Sequence, residues 1–121
     1  VHVQHVPAGE GIGYGSTYVT PEPMTIATIP VGYADGYPRS LSNRGTVLIH
    51  GTRCPVVGRI CMDQFMVAVP DTITVKPGDK VVLLGSQGHE SISALEIAAL
   101  ASTIPYEIFC GFSERVPRQY I

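Results

Sequence analysis

Lysine is scarce in this chain: only Lys76 and Lys80 occur, beside six arginines, and the formal net charge is −2. No basic field exists to hold a nucleic acid. Charged residues of either sign make up only 15% of the 121 positions, against 45% apolar residues. That balance excludes an intrinsically disordered chain. Long hydrophobic runs are absent too, and none reaches the ~20 residues that a membrane-spanning helix needs. The three cysteines, Cys54, Cys61 and Cys110, are odd in number and lack a CxxC spacing. A disulfide scaffold and a zinc site are therefore disfavoured, and the thiols read as small hydrophobes. Reduced thiols suit a cytoplasmic protein. The histidines make no metal motif: His2 and His5 are an odd number of positions apart, which puts them on opposite faces of a strand. No GK[ST] or GxGxxG accompanies the glycines of residues 9–15, so a nucleotide-phosphate loop is unsupported. No serine lies in a GxSxG elbow. The first residue is Val1, and no charged-then-apolar leader follows it. A mature, processed or excised chain without a targeting peptide is expected.

What the sequence has in plenty is punctuation. Thirteen glycines and ten prolines fall between short apolar runs. Residues 1–4 alternate apolar and polar, as a half-buried strand does, and 7–11 read as a turn. Residues 24–31 are rich in β-branched side chains and predict a second strand, with Pro30 weakening its ladder near the end. Residues 46–50 and 53–57 flank Gly51-Thr52, which predicts a hairpin. Further strands are expected over 65–69, over 81–84 after the turn Lys76-Pro77-Gly78-Asp79, and over 109–116. One helix stands out. Ser93 and Glu96 have capping-box spacing, good helix formers follow, and Pro105 is expected to stop it after ~9 residues. Many short strands with one small helix indicate a single all-β domain, a sandwich or a barrel.

Several stretches carry chemistry. Tyr14 sits between Gly13 and Gly15, which let another group approach closely. Its phenol could act as a general acid or base if its surroundings lower the ordinary pKa of ~10. The alternative is a rim tyrosine with a satisfied hydroxyl. Residues 32–39 collect two phenols (Tyr33 and Tyr37), the Asp35 carboxylate and the Arg39 guanidinium in turn-forming sequence. In residues 58–64, Arg59 and Asp63 bracket an apolar stretch. They read either as a weak surface ion pair or as a guanidinium and a main-chain N–H aimed at an anionic substrate. Ile104-Pro105-Tyr106-Glu107 follows the helix, and Ser113-Glu114-Arg115-Val116-Pro117-Arg118 reads as a last strand with exposed charges.

Taken together, these stretches resemble the C-terminal domain of the bacterial alanine racemase family. The resemblance rests on Gly13-Tyr14-Gly15-Ser16-Thr17-Tyr18, Ile29-Pro30-Val31-Gly32-Tyr33-Ala34-Asp35-Gly36, Val57-Gly58-Arg59-Ile60-Cys61-Met62-Asp63-Gln64, Ile104-Pro105-Tyr106-Glu107 and Arg115-Val116-Pro117-Arg118. They occur in the family's order and span the chain nearly end to end. The resemblance implies a mainly β fold over 1–121, a Greek-key-like, partly open β-barrel with one short helix around 93–102. It implies a pyridoxal 5'-phosphate enzyme whose N-terminal (β/α)8 barrel carries the Schiff-base lysine, and neither Lys76 nor Lys80 is assigned to that role. It implies a homodimer in which this domain closes the other subunit's active site, so the fragment alone is expected to be inactive. Tyr14 would be the base that takes the Cα proton of L-alanine. Met62 would offer its main-chain N–H to the substrate carboxylate, and Tyr33 would border the pocket. Tyr106 would bond the cofactor phosphate, while Arg39, Arg59 and Ile104 would line the access corridor. Two alternatives stay open: a stand-alone small β-barrel that binds a carboxylate ligand or a protein, and a racemase for serine or another small amino acid.

Overall fold

A computed structural model of the chain describes residues 2–103. Among them are ten strands and one α-helix: β1 (His2–Val6), β2 (Gly11–Ile12), β3 (Tyr18–Val19), β4 (Met24–Ile29), β5 (Thr46–Ile49), β6 (Thr52–Val57), β7 (Phe65–Val69), β8 (Val81–Val82), β9 (Gly85–Gln87), β10 (Glu90–Ile92) and α1 (Ala94–Leu100). The expected strand over 109–116 and the stretches at 104–107 and 113–118 lie outside the described residues.

Six strands form one antiparallel sheet in the order β1-β4-β7-β6-β5-β8. β5, β6 and β7 are consecutive neighbours, and β8 returns by a long connection to lie beside β5, which is a Greek key. Within the described residues β1 and β8 stand at opposite ends of that order. The curled sheet is thus a partly open barrel, as expected. Two ribbons, β2–β3 and β9–β10, complete the strands.

Local chemistry sets the boundaries. β7 is a continuous apolar run whose Phe65, Val67, Ala68 and Val69 are buried. β4 stops at Ile29, short of residue 31, because Pro30 has no N–H to extend the ladder. The chain then bends, with the Val31 N–H donating to the Ile29 carbonyl at 2.9 Å. The β5–β6 hairpin turns one residue earlier than the sequence suggests. Its central pair is His50-Gly51, with φ 53° and 70°, and Ile49 faces Thr52. Positive φ at both central residues is the type I′ geometry that follows the twist of the strands. β8 is shorter than the expected 81–84.

The helix begins as its sequence predicts: the Ser93 hydroxyl accepts from the Glu96 N–H at 3.0 Å. Its end is a correction. Ser102 adopts φ 57°, and the Thr103 N–H donates to Ala98 O at 2.9 Å while the Ser102 N–H donates to Ala99 O at 3.4 Å. This is a Schellman closure, complete before Pro105 is reached. Arg53 ties the helix to the sheet: it donates to Glu96 at 2.8 Å, to Glu90 at 2.9 Å and to Ser91 O at 2.7 Å.

The main core lies under the long sheet and includes Leu41, Val47, Ile49, Val56 and Val67. Tyr37 belongs to it. Its ring stacks on Phe65 with centroids 4.7 Å apart, and burial pushes its phenol pKa well up. The loop at 32–39 therefore offers one phenol to solvent, Tyr33, and not the two its composition suggests.

Candidate functional site

Tyr14 begins a short 3-10 turn, Tyr14–Ser16, between β2 and β3. The structure fixes its backbone through its neighbours. A Cβ built on Gly13 would lie 3.1 Å from the backbone nitrogen of Arg59, and one on Gly58 would lie 2.7 Å from Ile12 O. The tyrosine turn and the Gly58-Arg59 backbone thus meet where both lack side chains. On the outer side, the Arg59 Nη1 lies 3.6 Å from where a Gly15 Cβ would be.

The second wall forms in the same way. Gly32 precedes the 3-10 turn Tyr33–Asp35, and its N–H donates to Asp35 Oδ2 at 3.1 Å. The Tyr33 N–H donates to Cys61 O at 3.0 Å, and the Ala34 N–H donates to Met62 O at 3.1 Å. A side chain at Gly32 would overlap both carbonyls. Arg39 opens the next 3-10 turn, Arg39–Leu41, and its guanidinium carbon sits 5.9 Å from the Tyr33 ring centre, within cation–π reach.

Tyr33, Arg39, Arg59, Ile60, Cys61 and Met62 line an open cavity of about 280 Å³. Its rim is apolar and exposed: Tyr33 is 47% and Met62 52% accessible. Its charge is cationic, from two guanidinium groups. Such a site suits a small anion that also carries apolar surface. Four of the residues singled out in the sequence therefore converge, and the Tyr14 turn abuts them through Arg59. Ile104 and Tyr106 lie outside the described residues.

Sequence reasoning missed the residues that hold this arrangement. Asn43 has φ 58°; its Oδ1 accepts from the Gly58 N–H at 2.6 Å, and its Nδ2 donates to Thr17 Oγ1 at 3.1 Å. The Ser42 hydroxyl accepts from the Ile60 N–H at 2.9 Å and donates to Arg39 O at 2.7 Å. The only available signal was an asparagine in a turn-rich stretch, a residue tolerant of the left-handed region.

Of the cysteines, Cys54 is buried, which pushes its thiol up to about 11, and Cys61 is half-buried at the cavity. Among the described residues no cluster of three or more metal-ligating side chains occurs, and no helix is long and apolar enough to cross a membrane. Lys76 and Lys80 flank a turn and do not line the cavity.

The family described as alanine racemase, C-terminal domain, matches residues 1–120. The chain belongs to that family. Alanine racemase from Halothermothrix orenii is 58% identical over 120 residues, covering 99% of this chain and 32% of the relative. The solved alanine racemase of Bacillus anthracis with bound L-Ala-P superposes with a TM-score of 0.94 at 48% identity, over 99% of this chain and 30% of that one. The Bartonella henselae alanine racemase with covalently bound pyridoxal phosphate superposes with a TM-score of 0.88 at 40% identity, over 98% of this chain and 32% of that one. The chain thus spans about a third of the length of the alanine racemases it matches. These relatives are isomerases, and pyridoxal phosphate is bound in one of them.

Proposed function

We propose that this chain is the C-terminal domain of a pyridoxal-phosphate-dependent alanine racemase, preceded in the whole protein by a lysine-bearing (β/α)8 barrel. The observation that carries the reading is the convergence of Arg59, Tyr33 and Met62 at one open cationic cavity, with the Tyr14 turn packed on the Arg59 backbone, in a chain of this family.

The described residues fit the substrate better than the cofactor. They offer guanidinium groups and an apolar rim for a small amino-acid carboxylate, and no amine that could form a Schiff base lines the cavity. The Schiff-base lysine is therefore assigned outside this chain, with Tyr106 assigned to the cofactor phosphate by the family resemblance. When bound, pyridoxal phosphate supplies the electron sink that makes a Cα proton removable.

Racemisation removes that proton from one face and returns one to the other, so two acid–base groups must stand on opposite faces. Tyr14 is one of them: its phenolate oxygen takes the Cα proton of L-alanine, or its hydroxyl returns it. The Arg59 Nη1, 3.6 Å from where a Gly15 Cβ would be, sets a cation beside the tyrosine turn. The Met62 main-chain N–H orients the carboxylate, Tyr33 limits side-chain size, and Arg39 and Arg59 line the access corridor and draw the anion in. The opposite base is a lysine outside this chain. The exposed Tyr33 and Met62 form the rim that the second subunit of a homodimer covers. Cys54 and Cys61, present as free thiols, accord with a cytoplasmic enzyme.

The test is the whole protein loaded with pyridoxal phosphate and given L-alanine or L-serine. Formation of D-alanine, faster than of D-serine, is expected. Binding of alanine without racemisation overturns the reading in favour of a binding module.

A further inference from the structure

We propose that Asn43 is a positioning residue for the reaction, the clamp that holds the Tyr14 turn in register with Arg59. The inference rests on the assignment of Tyr14 as base. Its own ground is geometric. The Asn43 side chain has one acceptor and one donor end, and the structure uses both. Oδ1 takes the Gly58 N–H at 2.6 Å, immediately before Arg59, and Nδ2 reaches Thr17 Oγ1 at 3.1 Å, immediately after the turn that begins at Tyr14. The Asn43 backbone adds a third contact, its N–H donating to Gly58 O at 3.2 Å.

Ser42 completes the clamp from the other side. Its hydroxyl holds the Ile60 N–H and the Arg39 carbonyl at once. Consecutive residues thus grip both neighbours of Arg59, and the Asn43 amide reaches across to Thr17 at the end of the tyrosine turn. Asparagine suits the place because it enters the left-handed region, here with φ 58°, more readily than most residues. The turn itself is thin: β2 and β3 have two residues each, so their own pairing gives little rigidity. A phenol on a loosely held turn would lose alignment, and a displacement of about 1 Å costs up to ~10²-fold in rate.

The clamp is tested in the whole, cofactor-loaded enzyme with Thr17→Val, Thr17→Ser, Asn43→Gly and the pair Thr17→Val with Asn43→Gly. Thr17 and Asn43 are exposed, so Thr17→Val changes one hydrogen bond without opening a core. Expected is a fall in kcat of about tenfold for Thr17→Val with KM within about twofold, and wild-type kcat for Thr17→Ser, which keeps the hydroxyl. The double variant is expected to match Asn43→Gly, because both remove one shared bond. Unchanged kcat in Thr17→Val and Asn43→Gly overturns the clamp. A loss that Thr17→Ser fails to restore also overturns it. Tyr14→Phe runs alongside. If it abolishes racemisation while the clamp variants stay wild type, only the clamp falls; if it stays wild type, the base assignment falls and the clamp with it.

Discussion

Tyr33 donates its backbone N–H to the carbonyl oxygen of Cys61 at 3.0 Å, and this bond makes one wall out of two distant sequence stretches. The wall closes only because Gly32 has no side chain. A methyl group there would overlap the carbonyls of Cys61 and Met62. Gly32→Ala is expected to push the turn off its seat, raising KM for alanine and destabilising the domain by about 1–3 kcal/mol, as overpacking does. Steady-state kinetics and denaturant unfolding of the whole enzyme check both.

Tyr37 is structural although it stands near Tyr33 in sequence. It is 2% exposed and stacked on Phe65 at 4.7 Å, and burial holds its phenol in the neutral form. Tyr37→Ala is expected to cost about 3–5 kcal/mol, the range for emptying a large aromatic site. Tyr37→Phe keeps the stack and is expected to racemise alanine at the wild-type rate. Urea midpoints and activity of the two variants separate packing from chemistry.

Acid should loosen the junction of helix and sheet. The hydrogen bond from Arg53 holds the Glu96 carboxyl below the ordinary glutamate value of 4.5. A carboxyl depressed in the folded state binds fewer protons there than in the unfolded chain, so stability rises with pH through its titration. The Glu96 contribution is therefore complete above about pH 4.5 and is lost as the pH falls through the lowered folded value. Unfolding of Glu96→Gln and wild type, measured from neutral to acid pH, should show a gap that closes on the acid side.

Much of the fold is legible in the sequence where one signal dominates. β7 is a pure apolar run, and the helix start is marked by Ser93 and its Glu96 N–H bond. Legibility fails where backbone geometry decides. His50 takes a left-handed conformation, which histidine adopts less often than glycine, so the hairpin turn shifts by one from the Gly51-Thr52 pair. Ser102 ends the helix where a glycine would have been the usual flag. β9 and β10 contain Gly85, Ser86, Gln87, Glu90 and Ser91, which carry no strand signal, and pairing with each other makes them a ribbon. The site divides in the same way. Tyr33, Arg39 and Arg59 are chemically conspicuous, Met62 is reached only through the family resemblance, and the structure brings the four together. Ser42 and Asn43 act through bonds to main-chain groups and to the distant Thr17 hydroxyl, which composition does not reveal.

The central claim is that Tyr14 is the base this chain contributes, and Tyr14→Phe in the whole, cofactor-loaded enzyme tests it most directly. The two enantiomers are equally stable in water, so loss of one base must lower kcat/KM equally in both directions. The expected fall is about 10²–10⁴-fold, the usual worth of a positioned acid–base group. Incorporation of solvent deuterium at Cα of D-alanine, served from the opposite face, should persist in the same variant. Racemisation at the wild-type rate by Tyr14→Phe would contradict the account.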